Sequence, residues 1–250
     1  MSFFQAIILG LVQGLTEFFP VSSSAHLRLA KWLMGIQDGE HFLYFDLLCH
    51  FGTLLALLIY LRQDVWEVLK DVKKMALYFL ALVPLVPAYF LLKPLRVMAS
   101  DPSYMGFALM ITGALLFAAT KKVAVTPSKK WQHVLWVGVM QTMALVPGIS
   151  RSGSTIAAGR FCGWKWREAA RFSFLLAIPT ILGGELLETL KGHSGGSVSG
   201  ACYVGGFLAS FGLGLVAVRF VFWVYEKERV RPFAWYCLCL GVFAWIAFNG

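Results

Sequence analysis

Two short stretches of this 250-residue chain hold the side chains able to do chemistry. The first, QGLTEFFPVSSSAH, runs from Gln13 to His26, and the second, PGISRSGST, from Pro147 to Thr155. Glu17 lies four residues after Gln13, so both face one side of a helix. His26 is three after Ser23 and four after Ser22, again one face of a helix that starts at the serines. A carboxylate, a hydroxyl and an imidazole together offer a base and a nucleophile. The second stretch brings Arg151, whose guanidinium fork matches phosphate oxygens, with Ser150, Ser152 and Thr155 around it. Proline or glycine followed by serine ends one helix and caps the next, and the free N–H groups of a helix start bind anions. The combination suggests phosphoryl transfer, in which positioning and charge stabilisation carry most of the catalysis. Each part alone has a structural reading: a serine cap, a bonded core histidine, a snorkelling arginine. Their joint occurrence at two breaks in the chain favours function.

These polar breaks interrupt a chain that is 58% hydrophobic and 14% charged, with a mean hydropathy of +0.70. A soluble domain carries roughly 25% charged residues, so the composition indicates a multi-pass membrane protein. An ionisable group at membrane depth is costly, which makes Glu17, His26 and Arg151 functional candidates. The net charge of +9 lies in clusters between apolar runs, such as KDVKK, SKK and EKERVR. The positive-inside rule accounts for them, and nucleic acid is not an expected partner. Cys49, Cys162, Cys202, Cys237 and Cys239 form no CxxC and read as packing residues. No cleavable signal peptide is expected at the N-terminus.

The elements that must position the chemistry follow from the apolar runs. Six are long enough to span a bilayer, approximately 42–62, 75–93, 103–120, 170–190, 201–225 and 233–249. Pro84, Pro87 and Pro179 fall inside spans and should kink them. Two further regions, 2–36 and 131–163, are broken in the middle, and each half is too short to cross. They are expected to be two re-entrant helix hairpins, in which irregular backbone lines a wet cavity or is buried in protein. The fold class is therefore all-α integral membrane, six transmembrane helices plus two re-entrant hairpins.

The two regions also resemble each other. Gln13 and Gln141 stand 128 positions apart, and Phe45 and Phe172, which start the following spans, stand 127 apart. This suggests one membrane domain over 1–250, with a first repeat of about 1–120 and a second of about 121–250. Three spans separate the hairpins, so the repeat is inverted, an arrangement common in transporters. Arg62, Lys70, Lys73, Lys74, Lys121, Lys122, Lys129, Lys130, Lys227, Arg229 and Arg231 fall on one side. Arg28, Lys31, Lys93, Arg96 and Lys191 fall on the other. The first side should be cytoplasmic, with both termini and the first hairpin toward the outside.

Other polar residues carry weaker signals. His50, four residues after Asp46, reads equally as a cavity-lining or a packed residue. Glu185 and Glu188 face either cavity or water. His41, His133 and His193 are taken as structural or solvated. Trp32, Trp66, Trp131, Trp164 and Trp223 fit interfacial belts.

At its two motifs the sequence resembles the undecaprenyl-diphosphatase family, also called bacitracin-resistance proteins, and the likeness covers nearly the whole chain. The family's first motif is Glu or Gln, three residues, then Glu, here Gln13 to Glu17. Its second is Pro-Gly-x-Ser-Arg-Ser-x-x-Thr, here Pro147 to Thr155. The resemblance implies a membrane hydrolase that removes one phosphate from undecaprenyl diphosphate, recycling the carrier of cell-wall synthesis. It implies Glu17 as essential carboxylate, as base or as ligand of a divalent cation (Mg²⁺ or Ca²⁺). It implies Ser23 as nucleophile beside Ser22, or His26 in that role or in proton transfer, and Arg151 as the diphosphate clamp with Ser150, Ser152 and Thr155. Its fold is likewise six spans with two hairpins in inverted repeat, in the bacterial inner membrane, with a pocket that opens outward. The expected partners are the polyprenyl diphosphate lipid and the membrane, with a homodimer left open.

Two departures stand out. Many members have Glu where this chain has Gln13, which leaves a metal to Glu17 and the substrate's phosphates. Many have Thr-Gly before the histidine, where this chain has Ser24-Ala25. Two rival readings share part of this pattern. A transporter or flippase of a phosphorylated polyprenyl lipid shares the scaffold but does not need the reactive residues. The type-2 phosphatidic acid phosphatases need Ser-Arg, five residues, then His, and counting on from Arg151 reaches Ala157 instead.

Overall fold

The computed structural model describes residues 1–36, 42–121, 124–125, 130–190 (the Glu188 side chain excepted) and 198–249. His41, His193, Lys122, Lys129 and Lys191 lie outside the described residues. Among those described, every regular element is a helix. A capping box starts α1 (Phe3–Thr16): the Ser2 hydroxyl accepts from the Gln5 amide, and the Gln5 side chain accepts from the Ser2 amide. At fourteen residues α1 is about 21 Å long, short of the ~30 Å hydrocarbon core. The chain turns through Phe18–Val21 and re-enters a helix as α2 (Ser23–Leu33).

The second break is built the same way. Helix α9 (Trp131–Gln141) passes through a 3₁₀ turn at Thr142–Leu145 and a Pro-Gly turn into α10 (Arg151–Phe161). The residue before each second half-helix is a serine, Ser22 and Ser150, and these stand 128 positions apart. Gly148, at φ 95°, sits where a Cβ would come within 2.7 Å of the Ala108 Cβ, so glycine makes this turn possible.

Six segments are long and apolar enough to cross a membrane. They are α3 (Leu43–Tyr60), Val72–Leu91, Pro102–Ala119, α11 (Trp166–Leu190), α12 (Gly200–Glu226) and α13 (Arg231–Asn249). The protein is a multi-pass membrane protein. Of the three prolines expected to kink spans, only Pro84 interrupts a helix, dividing Val72–Leu91 into α5 (Val72–Leu82) and α6 (Leu85–Leu91). Pro87 lies within α6 and Pro179 within an unbroken α11. Two connecting helices were not anticipated, α4 (Arg62–Lys70) and α7 (Lys93–Met98); the former has no buried residue. The third span ends in α8 (Met105–Ala119).

Glycines bring several helix pairs into backbone contact, and two of these meet a carbonyl most closely. A Cβ on Gly10 of α1 would fall 2.4 Å from the Gly206 carbonyl of α12. A Cβ on Gly138 of α9 would fall 2.4 Å from the Ala81 carbonyl of α5. Gly10 and Gly138 are also 128 positions apart. The core between the second hairpin and α11–α13 is filled by Trp164, Phe174 and Tyr225, all fully buried. Trp164 therefore does not belong to an interfacial belt, unlike the exposed Trp32, Trp66, Trp131 and Trp223. Phe18 enters this core edge-on to Phe174, with ring centroids 5.8 Å apart, and so anchors the turn that follows Glu17.

Candidate active site

Glu17 follows the last turn of α1, and its amide still bonds to the Gln13 carbonyl. The helical spacing of Gln13 and Glu17 brings their side chains together: Gln13 Nε2 donates to Glu17 Oε2 at 3.0 Å. The Ser23 hydroxyl donates to the same oxygen at 2.7 Å. From the second hairpin, Arg151 NH2 donates to Glu17 Oε1 at 2.7 Å, an ion pair whose carboxylate side chain is 6% exposed. The other terminal nitrogen of Arg151, NH1, is buried with no protein partner. So is the amide oxygen of Gln13. A buried polar atom without a partner is costly; a phosphate oxygen would accept from the Arg151 nitrogen, and a cation would meet the Gln13 oxygen.

His50 completes the cluster from α3. Its Nδ1 lies 2.9 Å from the Asp46 carbonyl, which can only accept, so Nδ1 carries a proton. Its Nε2 lies 3.8 Å from Glu17 Oε2, and Nδ1 lies 3.4 Å from Glu185 Oε1 on α11. Of the two readings open for His50, the structure supports the cavity-lining one.

A cavity of about 620 Å³ opens on these groups. Its polar end is formed by Glu17, Ser22, Ser23, Ser24, His50, Gln141, Ser150, Arg151, Ser152 and Glu185. Its other wall is apolar and comes mainly from α5, α6 and the turn before α10: Leu82, Leu85, Val86, Phe90, Leu145 and Ile149. Val86 and Phe90 are 62% and 70% exposed, so this wall continues to the lipid-facing surface. The starts of both second half-helices line the polar end. Ser150 is a working cap, accepting from the Gly153 amide at 3.1 Å, while Ser22 makes no side-chain cap bond. Ser22 has φ 70°, a left-handed conformation that a non-glycine residue rarely takes, at a buried position beside Ser23.

His26 and Thr155 are placed differently from the rest. His26 Nδ1 donates to the Ser22 carbonyl at 2.7 Å, and its Nε2 is 2.8 Å from the Tyr236 hydroxyl on α13. Neither ring nitrogen faces Glu17 or Ser23, and His26 does not line the cavity. Thr155 shares a hydrogen bond of 2.6 Å with Ser173 of α11 and also lies off the cavity. Ser152 lines it while donating to the Phe19 carbonyl at 3.1 Å, which ties the second hairpin to the turn of the first. Gln141 and Thr180 of α11 also line the cavity, with the Thr180 hydroxyl donating to the Gln141 amide oxygen at 3.3 Å, and Tyr236 joins the site through His26. The 128-residue offset from Gln13 was the signal for Gln141; nothing local marks Tyr236.

Among the described residues, no group of three or more His, Cys, Asp or Glu is placed to hold a metal ion. The oxygen donors around Glu17 are its own carboxylate, the Ser23 hydroxyl and the Gln13 amide oxygen, the last without a protein partner. That donor set suits a hard cation that completes its shell with phosphate oxygens and water.

Residues 6–243 match the profile of a family described as bacitracin resistance protein BacA. The chain belongs to the BacA family. Among curated BacA relatives, one from Protochlamydia amoebophila, named undecaprenyl-diphosphatase, is 36% identical over 249 residues, covering 97% of each chain. One of the same name from Desulfosudis oleivorans is 38% identical over 269 residues, again covering 97% of each. A third, from Korarchaeum cryptofilum, is 35% identical over 261 residues and covers 97% of this chain and 98% of its own. The BacA match spans both hairpins, so it includes the residues that form the Glu17 cluster.

Proposed function

We propose that this chain is an undecaprenyl-diphosphatase, a membrane hydrolase that converts undecaprenyl diphosphate to undecaprenyl phosphate and inorganic phosphate. In the cell this would recycle the lipid carrier of cell-wall synthesis and oppose bacitracin. Its relatives carry that name over essentially their full length. The observation that carries the reading is the Ser23 hydroxyl, held at 2.7 Å on Glu17 in a cavity that also presents Arg151.

The diphosphate head enters the polar end, and Arg151 NH1 gains a phosphate partner. Ser23 Oγ attacks the terminal phosphorus, and its proton passes to Glu17 Oε2. The bond from that phosphorus to the bridging oxygen breaks, and undecaprenyl phosphate leaves with the proton from Glu17, which returns to its carboxylate form. Water then attacks the phosphoserine, Glu17 takes the water's proton, and release of phosphate returns a proton to Ser23. Arg151 and the amides at the starts of α2 and α10 stabilise the transferring oxygens. The prenyl tail follows the apolar wall past Leu82, Val86 and Phe90 toward lipid. Ser23 is favoured over His26 as nucleophile because both ring nitrogens of His26 are engaged elsewhere. His26 instead holds the Ser22 turn. A divalent cation, where one is used, would rest on Glu17 and the Gln13 amide oxygen and neutralise phosphate charge.

The hairpins are re-entrant and the two halves form an inverted repeat. The reciprocal packing of Gly10 on α12 and Gly138 on α5, at one sequence offset, supports this. The residues form a single membrane domain in the bacterial inner membrane, with the pocket open to the outside. The experiment is phosphate release from undecaprenyl diphosphate by purified protein in detergent, with and without chelator. Release that is lost in Ser23→Ala supports the reading; normal release by that variant overturns Ser23 as nucleophile. Transport of the lipid across liposomes without any phosphate release would overturn the hydrolase.

A further inference from the structure

A second cavity, of about 470 Å³, lies at the far end of α10. It is lined by Lys121, Arg160, Trp166, Glu228, Arg229 and Arg231 among others, four cations against one carboxylate. Clustered positive charge at a cytoplasmic membrane edge needs no ligand when its side chains are in water. Arg160 is different, being only 7% exposed. Its NH1 donates to the Trp164 carbonyl at 2.7 Å, its guanidinium stacks 4.8 Å from the Trp166 ring centroid, and its Nε is buried with no partner. A buried guanidinium with one unsatisfied donor, in the wall of a cavity lined by three more cations, has the chemistry of an anion site. The side chains come from four places in the chain: the end of α8, the end of α10, the start of α11 and the turn between α12 and α13.

We propose that this cavity binds a phosphate-bearing anion at the membrane edge, the headgroup of an acidic lipid or free phosphate. The site is separate from the Glu17 cavity: Arg151 and Arg160 are at opposite ends of α10, about 14 Å apart along the helix. It does not depend on the reading of that first cavity.

The test titrates the full-length protein in non-ionic detergent with phosphatidylglycerol, phosphatidylcholine and inorganic phosphate in separate arms. Bound lipid is read by native mass spectrometry, and all three ligands are also read by the shift in thermal unfolding midpoint. Phosphatidylglycerol should bind in preference to phosphatidylcholine. Its apparent affinity should fall about tenfold in Arg160→Gln and in the double variant Arg229→Gln/Arg231→Gln, and not in Arg151→Ala. The double variant changes only exposed side chains, so it remains informative if Arg160→Gln fails to fold. A shift by inorganic phosphate equal to that by phosphatidylglycerol, with the same loss in the double variant, would identify the ligand as free phosphate. Equal binding of the two lipids without a phosphate effect, or wild-type binding by the double variant, overturns the proposal.

Discussion

Glu17 and Arg151, 134 residues apart in sequence, meet at 2.7 Å and join the two hairpins by one buried ion pair. Neither hairpin holds a charge-balanced site by itself. Removing one partner leaves the other charge buried and unpaired, which is more damaging than the pair is stabilising. Arg151→Ala should therefore abolish detectable phosphate release and also lower the thermal midpoint. Arg151→Lys should keep more of the midpoint but not the activity, since an ammonium cannot span two phosphate oxygens as a guanidinium does. Paired thermal scans and phosphate-release assays check both.

Ser23→Ala removes the oxygen proposed to attack phosphorus but no structural bond other than its own donation to Glu17. The rate of phosphate release should fall by more than about a hundredfold, while KM changes little. Single-turnover assays with radiolabelled diphosphate should show a phosphoprotein in the wild type and none in this variant.

His26 holds the strained Ser22 turn and stacks on Tyr236, with ring centroids 5.6 Å apart. Tyr236→Phe should lower the rate by less than about tenfold, because it removes one hydrogen bond remote from the cavity. His26→Ala should lower it far more, and His26→Gln should recover part of the loss if its amide can donate to the Ser22 carbonyl. A direct role in proton transfer would be restored by neither Gln nor Asn, so this variant series separates positioning from chemistry.

The unpartnered Gln13 amide oxygen bears on the cation. Gln13→Glu places a second carboxylate beside Glu17 and should lower the concentration of Mg²⁺ or Ca²⁺ needed for half-maximal activity. Gln13→Ala should raise it. Metal titrations after chelator treatment measure both, and identical curves for all three proteins would remove Gln13 from the cation's surroundings.

Gly10→Ala and Gly138→Ala each force a methyl group against a backbone carbonyl at 2.4 Å. Each should cost about 1–3 kcal/mol of stability. Unfolding in detergent, followed by circular dichroism, gives the size of the loss.

Much of this arrangement was legible in the sequence, for physical reasons that differ by feature. The spans follow from length and hydropathy, and all six appear close to their expected limits. The Gln13–Glu17 contact follows from helical spacing, which is local. The same argument put His26 on one face with the serines but could not say where that face pointed; tertiary packing turned its ring to Tyr236, 210 positions away. His50 and Glu185 reach Glu17 from other helices, a convergence that no spacing encodes. Prolines were read alike, yet only Pro84 divides its helix, while Pro179 sits within one that stays continuous.

The two glycine contacts bear on motion. Helices that slide past each other do so on a layer of side chains that can change rotamer. At Gly10 and Gly138 that layer is missing, and backbone rests on backbone. Helices α1 and α12 are thereby locked in register, as are α9 and α5. Whatever movement admits a long lipid tail has to occur elsewhere. The chain supplies a place for it at α6, a seven-residue helix with no buried residue, set off by Pro84 and facing the cavity's apolar side.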